Sequence, residues 1–259
     1  MKRVADAGEP GPWPASRPSR SRTVTPGVAP LWQRAPRFAV VHIVAVIAGG
    51  LALDAAFGWP GQHAATLWAC AVWAYLYRAG GAAERRSLIL CMLIAGAGEI
   101  GLSLVWGVYD YRFGNLPLFV PPGHALLMTL GVIIAARVPL HATVRGVTLL
   151  AAVWALWAWV GDADRFGALL FLLFAGCLAF GRDRALYSVM FVLALAMELY
   201  GTALGSWTWR PEVPGLALSA ANPPFAAGAF YAMLDLLVLA ALAARWPATL
   251  PVAAPVRSE

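Results

Sequence analysis

From residue 38 onward the chain alternates between long apolar runs and short polar breaks. The apolar stretches lie at about 38 to 57, 63 to 79, 87 to 108, 118 to 138, 147 to 161, 167 to 181, 186 to 207 and 224 to 244. Runs of this length approach the roughly 20 residues that an α-helix needs to cross about 30 Å of hydrocarbon. Inside a bilayer each backbone polar group must be satisfied within its own segment, so each run predicts a transmembrane helix. The expected fold class is all-α, a polytopic integral membrane bundle of about eight transmembrane helices. Residues 1–36 are rich in Pro, Ser and Arg and show no apolar period, which predicts a disordered tail; a polar stretch this long argues against a cleaved signal peptide. Residues 247–259 predict a second tail.

The basic residues sharpen this picture. If the N-terminal tail is cytoplasmic, eight crossings leave only Arg112, Arg165 and Arg210 outside and put the other sixteen of nineteen Lys and Arg inside. Positive residues concentrate on the cytoplasmic side of membrane proteins, so both termini are expected to be cytoplasmic and the chain to reside in the cell's inner membrane. The net charge of +6 is then topological. Nucleic acid is not an expected partner, because that needs a basic face on a soluble domain. With 61% apolar and 12% charged residues, composition agrees with the membrane assignment. Cys70, Cys91 and Cys177 are odd in number, lie inside apolar runs and lack metal-ligand spacing, so they read as small core residues.

Two stretches match each other. Glu99–Arg112 reads E-I-G-L-S-L-V-W-G-V-Y-D-Y-R and Glu198–Arg210 reads E-L-Y-G-T-A-L-G-S-W-T-W-R. Each has a carboxylate inside an apolar run, a hydroxyl four positions later (Ser103, Thr202), and then Gly-x-aromatic-x-aromatic-Arg. A Pro-Pro pair follows both, Pro121–Pro122 and Pro223–Pro224. The spacing predicts two four-helix repeats, 37–138 and 139–246. An even number of crossings per repeat makes them parallel, related by an axis along the membrane normal. Both aromatic loops would then face the same outer side.

Glu99 lies ten residues before Tyr109, about 15 Å below the outer boundary at the rise of an α-helix. Glu198 sits at a matching depth, and Asp235, eleven residues past Pro224, is expected to reach the same level from the other direction. A carboxylate at the bilayer midplane is costly unless it faces the bundle interior and finds a partner. With no Lys, Arg or His expected at that depth, at least one of the three should hold a proton at neutral pH. The plain alternative is interhelical hydrogen bonding, helped by small residues such as Gly96 and Gly201.

Candidate substrate-binding positions surround these acids. Ser103, Thr202 and Tyr231 fall one turn outward of them. Tyr109 with Tyr111, and Trp207 with Trp209, share a side if the chain runs extended past the glycine, and would line a mouth for a flat or polyene ligand, with Arg112 and Arg210 meeting its phosphate or carboxylate. His124 and Asn222 flank the Pro-Pro pairs at the outer helix ends. Aromatic residues and arginine also collect at membrane interfaces without further function. His42, His63 and His141 make no metal spacing, and Walker and dinucleotide-binding loops are missing from the sequence, so neither a metal nor a cofactor is expected.

Around these residues the sequence resembles carotenoid-modifying integral membrane proteins, the bacterioruberin-type carotenoid hydratases and the heterodimeric-type lycopene cyclases. The resemblance covers about fifty residues in two patches, G-V-Y-D-Y-R-F-G-N-L-P and G-S-W-T-W-R-P-E-V-P-G-L with their preceding glutamates. In the cyclases a proline precedes acidic residues, whereas Phe225 and Ala226 follow Pro223–Pro224 here. From the hydratases, the resemblance implies functional roles for Glu99 and the Tyr109/Tyr111 pair.

These features lead to an expected function: a cofactor-independent membrane enzyme acting on an isoprenoid, carotenoid or other lipid by carboxylate acid–base chemistry at a double bond, as a hydratase or cyclase. Glu99, Glu198 and Asp235 would be its catalytic residues. Two alternatives stand beside it, a proton-coupled transporter of a small or lipidic solute and a structural membrane protein. The expected partner is a membrane lipid or isoprenoid substrate, and the sequence leaves the oligomeric state open.

Overall fold

The computed structural model describes residues 36–244. Apart from Pro36, the two predicted tails lie outside them. Among the described residues there are eight α-helices: α1 Pro36–Phe57, α2 Trp59–Ala79, α3 Ala82–Glu99, α4 Val120–Ala135, α5 Leu140–Val160, α6 Arg165–Phe180, α7 Arg184–Ala203 and α8 Gly228–Ala244. Helix α3 runs on as a π-helix over Ile100–Trp106. Two short strands, β1 Tyr109–Tyr111 and β2 Trp207–Trp209, complete the set.

Four helices are long and apolar enough to cross a membrane: α1, α3 with its π extension, α5 and α7. The apolar helices α4, α6 and α8 hold 16, 16 and 17 residues, short of a full crossing. Helix α2 has the length, 21 residues, but carries Gln62, His63 and Arg78. Apolar side chains cover the bundle's outside, with Leu150 at 75% and Phe180 at 88% exposure. Such a surface is costly in water and ordinary against lipid.

Helix ends depart from the hydropathy pattern where capping or a turn decides them. Helix α5 begins at Leu140 rather than near 147, because its first two turns, carrying His141 and Arg145, are polar yet still helical. Gly107, at φ 73°, ends the π-helix in the left-handed region, where glycine alone escapes a Cβ penalty. Gly205, at φ 66°, turns the chain in the same way just past the end of α7. Helix α8 starts at Gly228 because residues 210 to 227, after β2, form turns and bends. Asp164 fastens those turns: it caps α6 through the Gly167 N–H at 3.0 Å and also accepts from Ala221 N at 3.1 Å and Phe225 N at 2.8 Å. Burial pushes its carboxyl above the usual aspartate value, against the pull of those three donors.

The strands decide where the site forms. They pair antiparallel with Tyr109 opposite Trp209, Asp110 opposite Thr208 and Tyr111 opposite Trp207. Strand side chains alternate, so the four rings share one face, which is buried, while Asp110 and Thr208 look out. Below them α3 packs against α4 and α8, and α7 packs against α8 and α4. The four helices enclose the space beneath the rings.

Candidate functional site

Glu99 ends α3, just where the helix widens into its π-helical turn. Tyr109 and Tyr111, side by side on β1, both donate their hydroxyls to Glu99 Oε2, at 2.5 and 2.6 Å. The other oxygen, Oε1, lies 2.8 Å from His124 Nε2. Glu198, near the end of α7, is held in a parallel manner: Trp207 and Trp209 donate their indole N–H groups to its Oε2 at 2.7 and 3.0 Å. Tyr231 donates to Glu198 Oε1 over a longer 3.3 Å. His124 and Tyr231 stack with ring centroids 4.7 Å apart and 13° between planes. Tyr109 and Trp209 close the roof, centroids 4.7 Å apart. One polar cluster therefore joins both glutamates through six aromatic or imidazole side chains. Both carboxylates are at least nine-tenths buried.

Several expectations are corrected. A base does stand at the depth of the acids: His124, expected at the outer end of its helix, lies in the first turns of α4 yet is level with Glu99, its Nε2 2.8 Å from Oε1. The four aromatic side chains face inward and line the cavities at the glutamates, with their polar ends spent on the carboxylates. Ser103 and Thr202 line neither cavity beside the acids, and each donates to the main-chain carbonyl of its own glutamate, at 2.7 Å in both cases. Small hydroxyl residues commonly turn back on a helix in this way.

The arginines are also committed elsewhere. Arg112 donates to the carbonyls of Gly205, Leu204 and Asp54, tying the end of α7 to the end of α1. Arg210 pairs with Asp110 at 3.1 Å on the exposed face of the strands. Asn222 accepts from the Trp209 N–H at 2.9 Å and so fixes β2 rather than a ligand. Asp235 does not join the glutamates. It is fully buried, lines neither cavity beside them, and neither carboxyl oxygen has a hydrogen-bond partner among the described residues.

Two cavities meet at the cluster, and Glu99, Tyr109, His124, Glu198 and Tyr231 are walls of both. A tight one of about 60 Å³ reaches toward α1, α2 and α4. A wider one of about 350 Å³ lies between α3 and α8 and is otherwise apolar, lined by Ile94, Leu102, Phe230 and Leu234 among others. His124 Nδ1 is buried and has no hydrogen-bond partner among the described residues. No group of three or more His, Cys, Asp or Glu side chains able to hold a metal occurs among them. Sequence reasoning missed Gly98 and Gly101, which border the wider cavity. Their signal was available: glycines one before and two after an intramembrane acid put no side chain of their own beside it.

Gly201 shows how closely the cluster is built. A Cβ there would lie 2.0 Å from the Trp207 ring, so only glycine lets that indole rest on α7 and reach Glu198. Gly201→Ala is expected to displace the indole, lower stability by about 2 kcal/mol and shift tryptophan emission, read from thermal melts and fluorescence in detergent.

No protein family, curated protein or solved structure matches the chain.

Proposed function

We propose that this protein is an integral membrane enzyme that acts on an isoprenoid, carotenoid or other lipid by acid–base chemistry at a double bond. The observation that carries the reading is the pair of buried carboxylates, each gripped by neighbouring N–H and O–H donors, at the junction of two largely apolar cavities. Intramembrane acids at such cost are functional by default.

The geometry suggests separate roles. Glu99 is surrounded by three close donors, two phenols and the imidazole, and acts as a carboxylate that orients His124. Glu198 keeps both indoles on Oε2, while Oε1 has only the long Tyr231 contact and is the position for a proton. In the reaction, Glu198 donates that proton to one alkene carbon, a C–H bond forms from the π pair, and the neighbouring carbon becomes cationic. The faces of the surrounding rings favour that cation. For hydration, His124 Nδ1 takes a proton from water as the water oxygen bonds to the cation. For cyclisation, a second double bond attacks the cation and His124 removes a proton from the adjacent carbon. Either way the proton gained by the base restores Glu198, and no net proton is consumed.

The reading includes an eight-helix membrane bundle of two parallel four-helix repeats, with both termini on the cytoplasmic side of the inner membrane. Exchange of partners supports the repeat: α3 packs on α8 as α7 packs on α4, and β1 pairs with β2 about Asp110 and Thr208. The short helices α4 and α8 fit this arrangement because the strands and their following turns fill the outer layer above them.

The test compares extractable lipids and pigments from cells with and without the protein. A species whose mass differs by one water, or an isomer with one ring more, is expected. Identical extracts from a host supplied with polyene substrates would sink the proposal. Reconstituted vesicles under a proton gradient separate it from proton-coupled transport, since the enzyme moves no proton across the membrane.

A further inference from the structure

The two glutamates are flanked differently, and the difference opens one side of the site. At the position before the glutamate, α3 has Gly98 and α7 has Met197; two positions after it, Gly101 stands against Tyr200. Met197 lines the tight cavity, and Tyr200 reaches across to donate to the Ala48 carbonyl at 3.2 Å, closing that side with α1. On the other side nothing replaces these side chains. A Cβ added at Gly98 or at Gly101 meets no atom within 4 Å, so neither close packing nor a left-handed backbone explains these glycines. Gly98 is exposed, and Leu237 opposite is 45% exposed, both on the outer wall of the 350 Å³ cavity. Trp106 frames the outer end, its indole N–H fixed to the Pro214 carbonyl at 2.9 Å. The π-helical turn bordering the cavity is a feature common at functional sites.

We propose that the cleft between α3 and α8 is a lateral portal through which an unbranched or isoprenoid hydrocarbon chain dissolved in the bilayer slides into the glutamate cluster. The occupant follows from the walls. Between Ala227 and Leu237 the cavity follows α8 for about 15 Å, half the hydrocarbon thickness. Its apolar walls run from the exposed Leu237 inward past Ile94, Phe230 and the buried Leu234, and its only acidic groups are Glu99 and Glu198. Such a slot admits a chain and gives a headgroup no partner. The inference rests on the reading of the site as one that takes a membrane-dissolved substrate.

The test uses a diazirine-bearing geranylgeraniol analogue in phosphatidylcholine vesicles holding the full-length protein, with cross-links mapped by mass spectrometry. Label is expected on Phe230 or Leu234, inside the cleft. The double substitution Gly98→Leu with Gly101→Leu puts side chains into the gap from Cβ positions that meet no atom within 4 Å, and raises helix propensity, so the fold should hold. It is expected to reduce that label about tenfold. Gly146→Leu on α5, whose Cβ also meets nothing, is the control that leaves it unchanged. Equal labelling in the double variant, or label confined to outward residues such as Leu150, overturns the portal. Label at the cleft without any lipid conversion keeps the portal and removes the enzyme; conversion undiminished in the double variant does the reverse.

Discussion

Replacing Glu198 by Gln is expected to reduce product in a lipid extract about a thousandfold, the scale of a lost general acid, while the protein still inserts and accumulates. The amide is nearly isosteric. Its oxygen can still accept the Trp207 and Trp209 indoles, and its NH₂ can turn to the Tyr231 oxygen, so the hydrogen bonds at 2.7, 3.0 and 3.3 Å each keep a counterpart. What disappears is a proton that can be given to a carbon. Membrane abundance and the elution profile in detergent should match the parent protein. Product at the parent level in that background would remove Glu198 from the chemistry, and with it the role division between the two acids. Parallel loss of folding and product would instead favour the structural alternative for these acids.

His124→Phe carries the second large effect. The new ring can keep the stack on Tyr231, now 4.7 Å between centroids, but it takes away the imidazole 2.8 Å from Glu99 Oε1 and the unpartnered Nδ1. A loss of about a hundredfold is expected, within the range of general acid–base contributions. In the proposed mechanism His124 works through its pairing with Glu99, so the double variant with Glu99→Gln should be little worse than either alone. His124→Gln divides the two parts of the role. Its amide can still reach Glu99 from the position of Nε2, yet it supplies no base, so stability should return without activity. Full activity in either single variant would assign His124 to packing alone.

The two predictions fall on residues of unequal legibility. Glu198 is visible at once, since a lone carboxylate in an apolar run has few explanations. Its tie to Trp207 and Trp209 was legible only as a shared face, because strand alternation puts i and i+2 together but leaves the direction of that face open. The strand pairing turned it inward. His124 was legible as a residue and misplaced in depth: hydropathy puts it near the start of a helix, but how deep that start lies is set by the strands and turns packed beside the short α4. Arg112 and Arg210 show the opposite error. Their position beside aromatic residues suggested a ligand, but an arginine has five donors and the nearby helix ends have free carbonyls, so Arg112 was taken up as a cap.

By itself the sequence determined the all-helical membrane class, eight helical segments, a pair of matching motifs and the glutamates at their heads. Those follow from the period and length of apolar runs, which are properties of single segments. Only the tertiary structure decided that Asp235 stays apart, that His124 joins Glu99, and that Gly98 and Gly101 open one side while Met197 and Tyr200 close the other. Such outcomes depend on how helices rotate and pack against one another. Packing is set by side-chain shapes summed across the whole bundle, and no local pattern encodes that sum.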